Sequence, residues 1–422
     1  MAIKNIALHW QILIALFFAV LTGLLLEPTS SIFGVSFLSV LVFFGTLFLN
    51  ALKMLIVPLV MASIITGMMS LSGDTLGRLG TKTVLYYATT SLVAILIGLF
   101  FVNLLQPGIV DGEPARQIIG LSADTEDVLS KVGDKGAADI AEVLLRMIPP
   151  NIVTAAANGQ MLGLIFFSLI FGFFVSKLGG SPAQVHKDFW QGLLNIMMMI
   201  TELVMKFAPL GVYALVAKVI MISGVEAFEP LALFFVTVLL ALATHLLLFL
   251  PAVLRFLAHV SPAKHFKVML PALLTAFSTS SSSATLPITM DCVENKAGVS
   301  NQVSGFTLPL GATINMDGTA LYECVAAIFI AQAYGLSLDI TTQFTIVLVA
   351  LLTSIGVAGI PSASLVAITI ILAAIGLPLE AIGLILVVDR VLDMARTAVN
   401  VFSDTCAAVT IARLEGEETR VV

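Results

Sequence analysis

Six polar side chains crowd one stretch near the end of the chain: Asp389, Asp393, Arg396, Thr397, Asn400 and Asp404. Wound as a helix at about 100° per residue, they share a face roughly 100° wide, while Val, Leu, Met, Ala and Phe take the opposite side. An arginine can fork two parallel hydrogen bonds onto a carboxylate. An aspartate one turn earlier can take an ammonium. Together Arg396 and Asp393 suit a zwitterion that carries an extra carboxylate. Asn400 and Asp404, further along the same face, offer oxygens of the kind hard cations prefer. A purely structural salt-bridge network is the plainer alternative, and the mixture of donors and acceptors argues against it.

A second cluster reads Gly311-Ala-Thr313-Ile-Asn315-Met-Asp317-Gly-Thr319, with Glu323 one turn beyond. Asn, Asp, Gly and Thr interrupt an apolar run here. An unwound turn would free backbone carbonyls and aim them at a cation. Asn-x-Asp-Gly is also a common surface turn, but Leu, Ile and Val flank this one on both sides. Glu323 is an acid in mid-run that could bind and release a proton. A third cluster is the serine tract at residues 278–283, which includes Ser281 and Ser282 and ends in Leu-Pro at 286–287. A fourth is Gly356-Val-Ala-Gly-Ile360-Pro-Ser.

The elements that must position these residues follow from composition. Of 422 residues, 59% are hydrophobic and 11% charged, against about a quarter charged in a soluble domain. So little charge cannot cover a water-facing surface, so lipid must be the solvent. A net charge of −6 argues against nucleic acid as a partner. Cys292, Cys324 and Cys406 show no CxxC or zinc spacing and read as small buried hydrophobes. Apolar runs of about 20 residues, enough to span the hydrocarbon core, recur along the chain. Lys4, Arg78, Lys82, Lys177, Lys187, Arg255, Lys264 and Lys267 fall at alternate run ends, which places those ends, and both termini, in the cytoplasm. Residues 111–146 are long and acidic and read as an external loop.

Two runs do not fit simple crossing. Residues 340–379 are 40 in number and break at Gly-Ile-Pro, and residues 268–290 break at the serine tract. Irregular backbone at membrane depth must be buried in protein or line a wet cavity. Both read as helical hairpins, near 260–292 and 340–376, that enter the membrane and turn back. Interrupted segments of opposite direction suggest an inverted repeat, which in carriers marks the substrate site.

The serine tip, residues 315–319, the Gly-Ile-Pro tip and residues 389–404 together resemble the glutamate/aspartate transporter family, the dicarboxylate/amino acid:cation symporters. The resemblance runs over nearly the whole chain. It implies an all-α integral membrane protein of eight transmembrane helices plus two re-entrant hairpins, an elevator-type homotrimer in the cell membrane. Residues 1–77 and 147–226 would form the trimeric scaffold, and 78–110 and 227–422 the moving transport domain. By motif position, substrate would touch Ser281, Ser282, Thr319, Ile360, Asp393, Arg396, Thr397 and Asn400. One sodium ion would use Gly311, Asn315, Asn400 and Asp404, and a second the carbonyls of Thr313, Ser354, Ile355 and Val357. A third would use Tyr87, Thr90, Ser91, Asn315 and Asp317. Glu323 matches the proton-carrying glutamate of animal members. The chain departs from the family in one respect: archaeal members carry an arginine at the position of Ser280 and animal members at that of Met394, and neither is present here.

The function this implies is sodium-driven symport of aspartate or glutamate, with protons as a further coupled ion, no organic cofactor and no enzymatic activity. A C4-dicarboxylate is the nearest rival substrate, and Asp393 would repel it. A neutral amino acid would leave Arg396 unpaired. A hydrolase built on the serines lacks a Gly-x-Ser-Gly motif and a base to activate a serine. A pure channel would use the hairpins as pore loops.

Overall fold

The computed structural model describes residues 8–32, 34–70, 77–115, 145, 148–158, 160–223, 228–336, 338–354, 364–378 and 381–421. Most of the acidic loop and the Gly-Ile-Pro tip lie outside them, and with that tip Ile355, Val357 and Ile360.

Long apolar runs become helices because each backbone donor and acceptor is then satisfied within its own segment. Among the described residues the first five are α1 (Leu8–Leu25), α2 (Phe37–Ser70), α3 (Gly77–Leu105), the short α4 (Ile152–Ala157) and α5 (Met161–Lys177). Next come α6 (Gly180–Met205) and α7 (Ala208–Ser223), which meet at a 54° bend. The apolar run that follows is α8 (Phe228–Thr244), a π-helical turn at His245–Phe249, and α9 (Leu250–Phe256). Three spans among the described residues are long and apolar enough to cross a membrane, Leu79–Leu105, Glu229–Phe256 and Asn301–Ala333, and the bent pair α6–α7 is apolar enough for a fourth if it counts as one span. Phe17, Phe43, Phe100 and Phe174 are each more than half exposed. Apolar exposure on this scale requires lipid or protein against it, and the chain is a multi-pass membrane protein.

The first predicted hairpin is two helices, α10 (Pro262–Thr279) and α11 (Ser282–Asp291), that pack on each other. The serine tip turns the chain in two residues. Ser280 takes the left-handed conformation, φ 51° and ψ 35°, and Ser281 caps α11 by accepting from the Ala284 amide at 3.2 Å. A non-glycine residue there costs about 1–2 kcal/mol, which the helices packed on either side offset. A second π-helical turn, Cys292–Lys296, follows α11.

The run from Asn301 divides into α12 (Asn301–Ile314) and α13 (Asp317–Ala333), interrupted at Asn315 and Met316 as the sequence predicts. Every residue of α13 is buried, because α3, α8, α14, α15 and α16 all pack on it. The two segments predicted as arms of the second hairpin are α14 (Ile340–Ser354) and α15 (Ser364–Ile375), which pack on each other. The last helix, α16 (Ile382–Leu414), runs along α10, α12 and α13. The helices sort by packing: α1 lies on α7, and α2 on α5, α6 and α7, while α3 and α8 through α16 pack chiefly among themselves.

Candidate functional site

The polar face of α16 is buried against α12 and α13. Asp389, Asp393, Arg396, Thr397, Asn400 and Asp404 are all 5% exposed or less. Arg396 is the largest fully buried side chain of the described residues. Its guanidinium donates to Asp389 Oδ1 at 3.0 Å and to Asp393 Oδ1 at 2.7 Å, and its Cζ lies 3.9 Å from the ring centre of Tyr322 on α13. Its Nε has no partner. Burying so many charges is tolerable only because they pair. The guanidinium is thus already paired with two aspartates of its own face.

One turn on, Asn400 joins α16 to the start of α13. Its Oδ1 accepts from the amides of Gly318 at 2.8 Å and Thr319 at 3.3 Å, and its Nδ2 donates to Thr319 Oγ1 at 3.0 Å. The first amides of a helix have no partner within it, so the break at residues 315–316 creates the donors that Asn400 satisfies. Thr397 turns its hydroxyl back to the Asp393 carbonyl at 2.8 Å. Ser281 and Ser282 are buried at the tip of a hairpin whose two helices both pack on α16.

The predicted cation ligands form two adjoining groups. In one, Asn315 Nδ2 donates to Asp404 Oδ1 at 2.8 Å and to Ser403 Oγ at 3.1 Å. Gly311 closes this pocket, with its carbonyl accepting from the Asn315 amide at 2.9 Å. A Cβ on Gly311 would come within 2.7 Å of Asp404 Cγ. In the other, Asp317 Oδ1 accepts from Ser91 at 2.7 Å and from Thr90 at 3.3 Å, while Asn315 Oδ1 lies 3.5 Å from the Thr90 hydroxyl. Tyr87 is beside both groups, but its hydroxyl donates to the Thr307 carbonyl at 2.7 Å. These are hydroxyl, amide and carboxylate oxygens, the donor set of a hard cation. Of the remaining predicted set, Thr313 is in the last turn of α12 and Ser354 ends α14. Ile355 and Val357, like the substrate contact Ile360, lie outside the described residues.

Glu323 is fully buried about two helical turns past the break. Its Oε2 accepts from Thr353 at 2.9 Å and its Oε1 has no partner.

Sequence reasoning missed four partners. His245 reaches Asp317 Oδ2 at 3.0 Å from its π-helical turn, and Ser403 donates to the same oxygen at 2.6 Å. Tyr322 covers Arg396, and Thr353 holds Glu323. A lone histidine, His245, in the apolar run between α8 and α9 was the one available signal in the sequence.

Comparison with known proteins identifies the family. The model of the sodium:dicarboxylate symporter family matches residues 8–414. The chain is 35% identical over 421 residues to the proton/sodium-glutamate symport protein of Bacillus caldotenax, covering 98% of this chain and 96% of that one. It is 34% identical over 416 residues to the proton/glutamate-aspartate symporter of Escherichia coli K12, covering 98% and 94%. Against human excitatory amino acid transporter 3 the identity is 36% over 415 residues, covering 89% and 79%.

Proposed function

The chain belongs to the sodium:dicarboxylate symporter family, and from that premise we propose that it carries aspartate or glutamate into the cell on the sodium gradient. It is a transporter and not an enzyme. The observation that carries the reading is the adjacency of the Arg396–Asp393–Asp389 cluster to the oxygen groups around Asp404 and Asp317, at one helix break. The names of the relatives, which carry glutamate, aspartate and sodium, support the same substrate class.

Each residue has a task in this reading. Arg396 takes the side-chain carboxylate of the substrate by a bidentate pair. Asp393 takes the ammonium. Asn400, Thr397 and Thr319 receive the α-carboxylate together with the tips at Ser281, Ser282 and Ile360. Sodium is cargo, held at Gly311, Asn315, Asn400 and Asp404, at the carbonyls of Thr313, Ser354, Ile355 and Val357, and at Tyr87, Thr90, Ser91, Asn315 and Asp317. Shared residues couple the cargoes: Asn400 belongs to both the substrate and a sodium ion, so each ligand orders what the other needs, and by linkage each raises the other's affinity equally. Glu323, with one carboxyl oxygen unpartnered in a buried place, is the proton carrier.

Alternating access is an elevator movement in this reading. Residues 78–110 and 227–422 travel against a trimeric scaffold of 1–77 and 147–226, with both termini cytoplasmic, in the cell membrane. The packing of α1, α2, α5, α6 and α7 chiefly on one another supports that division, with α7 also meeting α16. The test is uptake of radiolabelled aspartate and glutamate into proteoliposomes with sodium, proton and potassium gradients imposed in turn. Concentrative uptake that needs inward sodium is expected. Uptake that is indifferent to sodium, or that never saturates, would overturn the reading.

A further inference from the structure

Asp393 has a second cationic partner that the reading above does not use. Arg390 lies on α16 at the edge of the polar face, 7% exposed, and its Nη1 is 3.3 Å from Asp393 Oδ2. Arg396 holds the other oxygen, Oδ1, at 2.7 Å. The two arginines are not equivalent. Arg396 is fixed by Asp389 at 3.0 Å and by the face of Tyr322 as well. Arg390 has Asp393 as its only side-chain partner among the described residues, and its Nε is buried with no acceptor. Its contact is also longer than the roughly 2.7–2.9 Å of a strong charge-assisted pair.

We infer that Arg390 is a displaceable counter-ion for Asp393, a positioning residue that sets how strictly the site requires an amino group on its substrate. This rests on the proposed role of Asp393 as ammonium acceptor. The chemistry is exchange of one N–H cation for another at Oδ2. A substrate with an α-ammonium takes that oxygen, and Arg390 is released. A dicarboxylate without an amino group brings no such donor. Arg390 then stays, Asp393 remains neutralised, and the repulsion between Asp393 and the incoming dianion is offset. Without Arg390, Asp393 loses one of its two arginine partners and favours a substrate that brings a cation of its own, because a buried carboxylate facing an unpaired anion is strongly disfavoured. Arg390 therefore relaxes the discrimination that Asp393 alone would impose.

The test is competition in proteoliposomes holding the full-length protein, with labelled aspartate and sodium. Inhibition constants for unlabelled aspartate and for succinate are measured in the wild type, Arg390→Gln and Arg390→Lys. Succinate should compete in the wild type, and the ratio of succinate to aspartate constants should rise roughly tenfold or more in Arg390→Gln, as expected when one close unit charge is removed from a partly desolvated site. Arg390→Lys, which keeps the charge, should restore a ratio near that of the wild type. A ratio unmoved by Arg390→Gln, or both constants rising in parallel, overturns the inference. So does a wild type indifferent to succinate, a result that needs no variant to fold. Failure of the wild type to take up aspartate with sodium would instead refute the transport reading itself.

Discussion

Gly311 gives the sharpest test of the cation site. It lies in the last full turn of α12, and a Cβ built on it falls 2.7 Å from Asp404 Cγ and 2.8 Å from the Tyr87 hydroxyl. Non-bonded carbons settle at about 3.5–4.0 Å, so Gly311→Ala must drive the Asp404 carboxyl back by roughly 1 Å. Neither neighbour yields easily. Asp404 is 3% exposed and receives Asn315 Nδ2 at 2.8 Å, and the Tyr87 hydroxyl is held by the Thr307 carbonyl at 2.7 Å. A hydrogen bond to a charged group is worth about 1.5–3 kcal/mol, and about 1.4 kcal/mol corresponds to a tenfold change in affinity. The sodium concentration for half-maximal aspartate uptake should therefore rise by roughly ten- to a hundredfold, with part of the maximal rate regained at high sodium. The assay is initial-rate uptake into proteoliposomes over a sodium series. Gly305→Ala is the control on the same helix, because the added methyl meets nothing nearer than 3.8 Å. Its sodium curve should overlie that of the wild type. A folded Gly311→Ala protein with an unshifted sodium curve would refute the placement of Asp404 in the cation site.

Replacing Arg396 with Cys should abolish acidic substrate binding and leave Asp389 and Asp393 facing each other without their shared cation, a change of about 3–5 kcal/mol by analogy with other broken buried pairs. Calorimetric titration with aspartate checks it, and retained affinity would contradict the clamp. Asp404→Asn should weaken sodium binding and, through linkage, aspartate binding at fixed sodium; unchanged sodium dependence in binding titrations would count against it. Glu323→Gln should remove the dependence of net uptake on an imposed pH gradient while substrate exchange persists. Persistence of the gradient effect in that variant would reassign the proton. Gly318→Ala places a methyl 2.6 Å from the Arg396 carbonyl oxygen and 3.1 Å from its Cα. These are backbone atoms that cannot swing aside, so stability should fall by about 1–3 kcal/mol, visible as a lower unfolding temperature in detergent.

Much of this site could be read from the sequence because its signals are local. A polar residue at every third or fourth place in an apolar run defines a face, and the face of α16 is where the spacing puts it. Asn-x-Asp-Gly within Leu, Ile and Val marks a break, and α12 ends and α13 begins there. The serine tract with a proline beyond it marks a turn, and Ser280 and Ser281 make one. Arg390 was within reach of the same spacing argument, three residues before Asp393, but it lies at the margin of the face and its pairing depends on a side-chain direction that spacing does not give.

What the sequence by itself determined is the solvent and the interruptions. So few charges leave lipid as the only medium, and polar residues within such runs must face one another or a ligand, since every unpaired group there costs several kcal/mol. What only the tertiary structure decided is which group meets which. That His245 holds Asp317, that Tyr322 lies over Arg396, that Asn400 ties off the first amides of α13, and that Tyr87 turns to the Thr307 carbonyl all follow from how α3, α8, α12, α13 and α16 pack. A helix fixes the face on which a side chain lies. Its partner sits on another helix far away in the chain, and only the packing of the helices brings the two within hydrogen-bond distance.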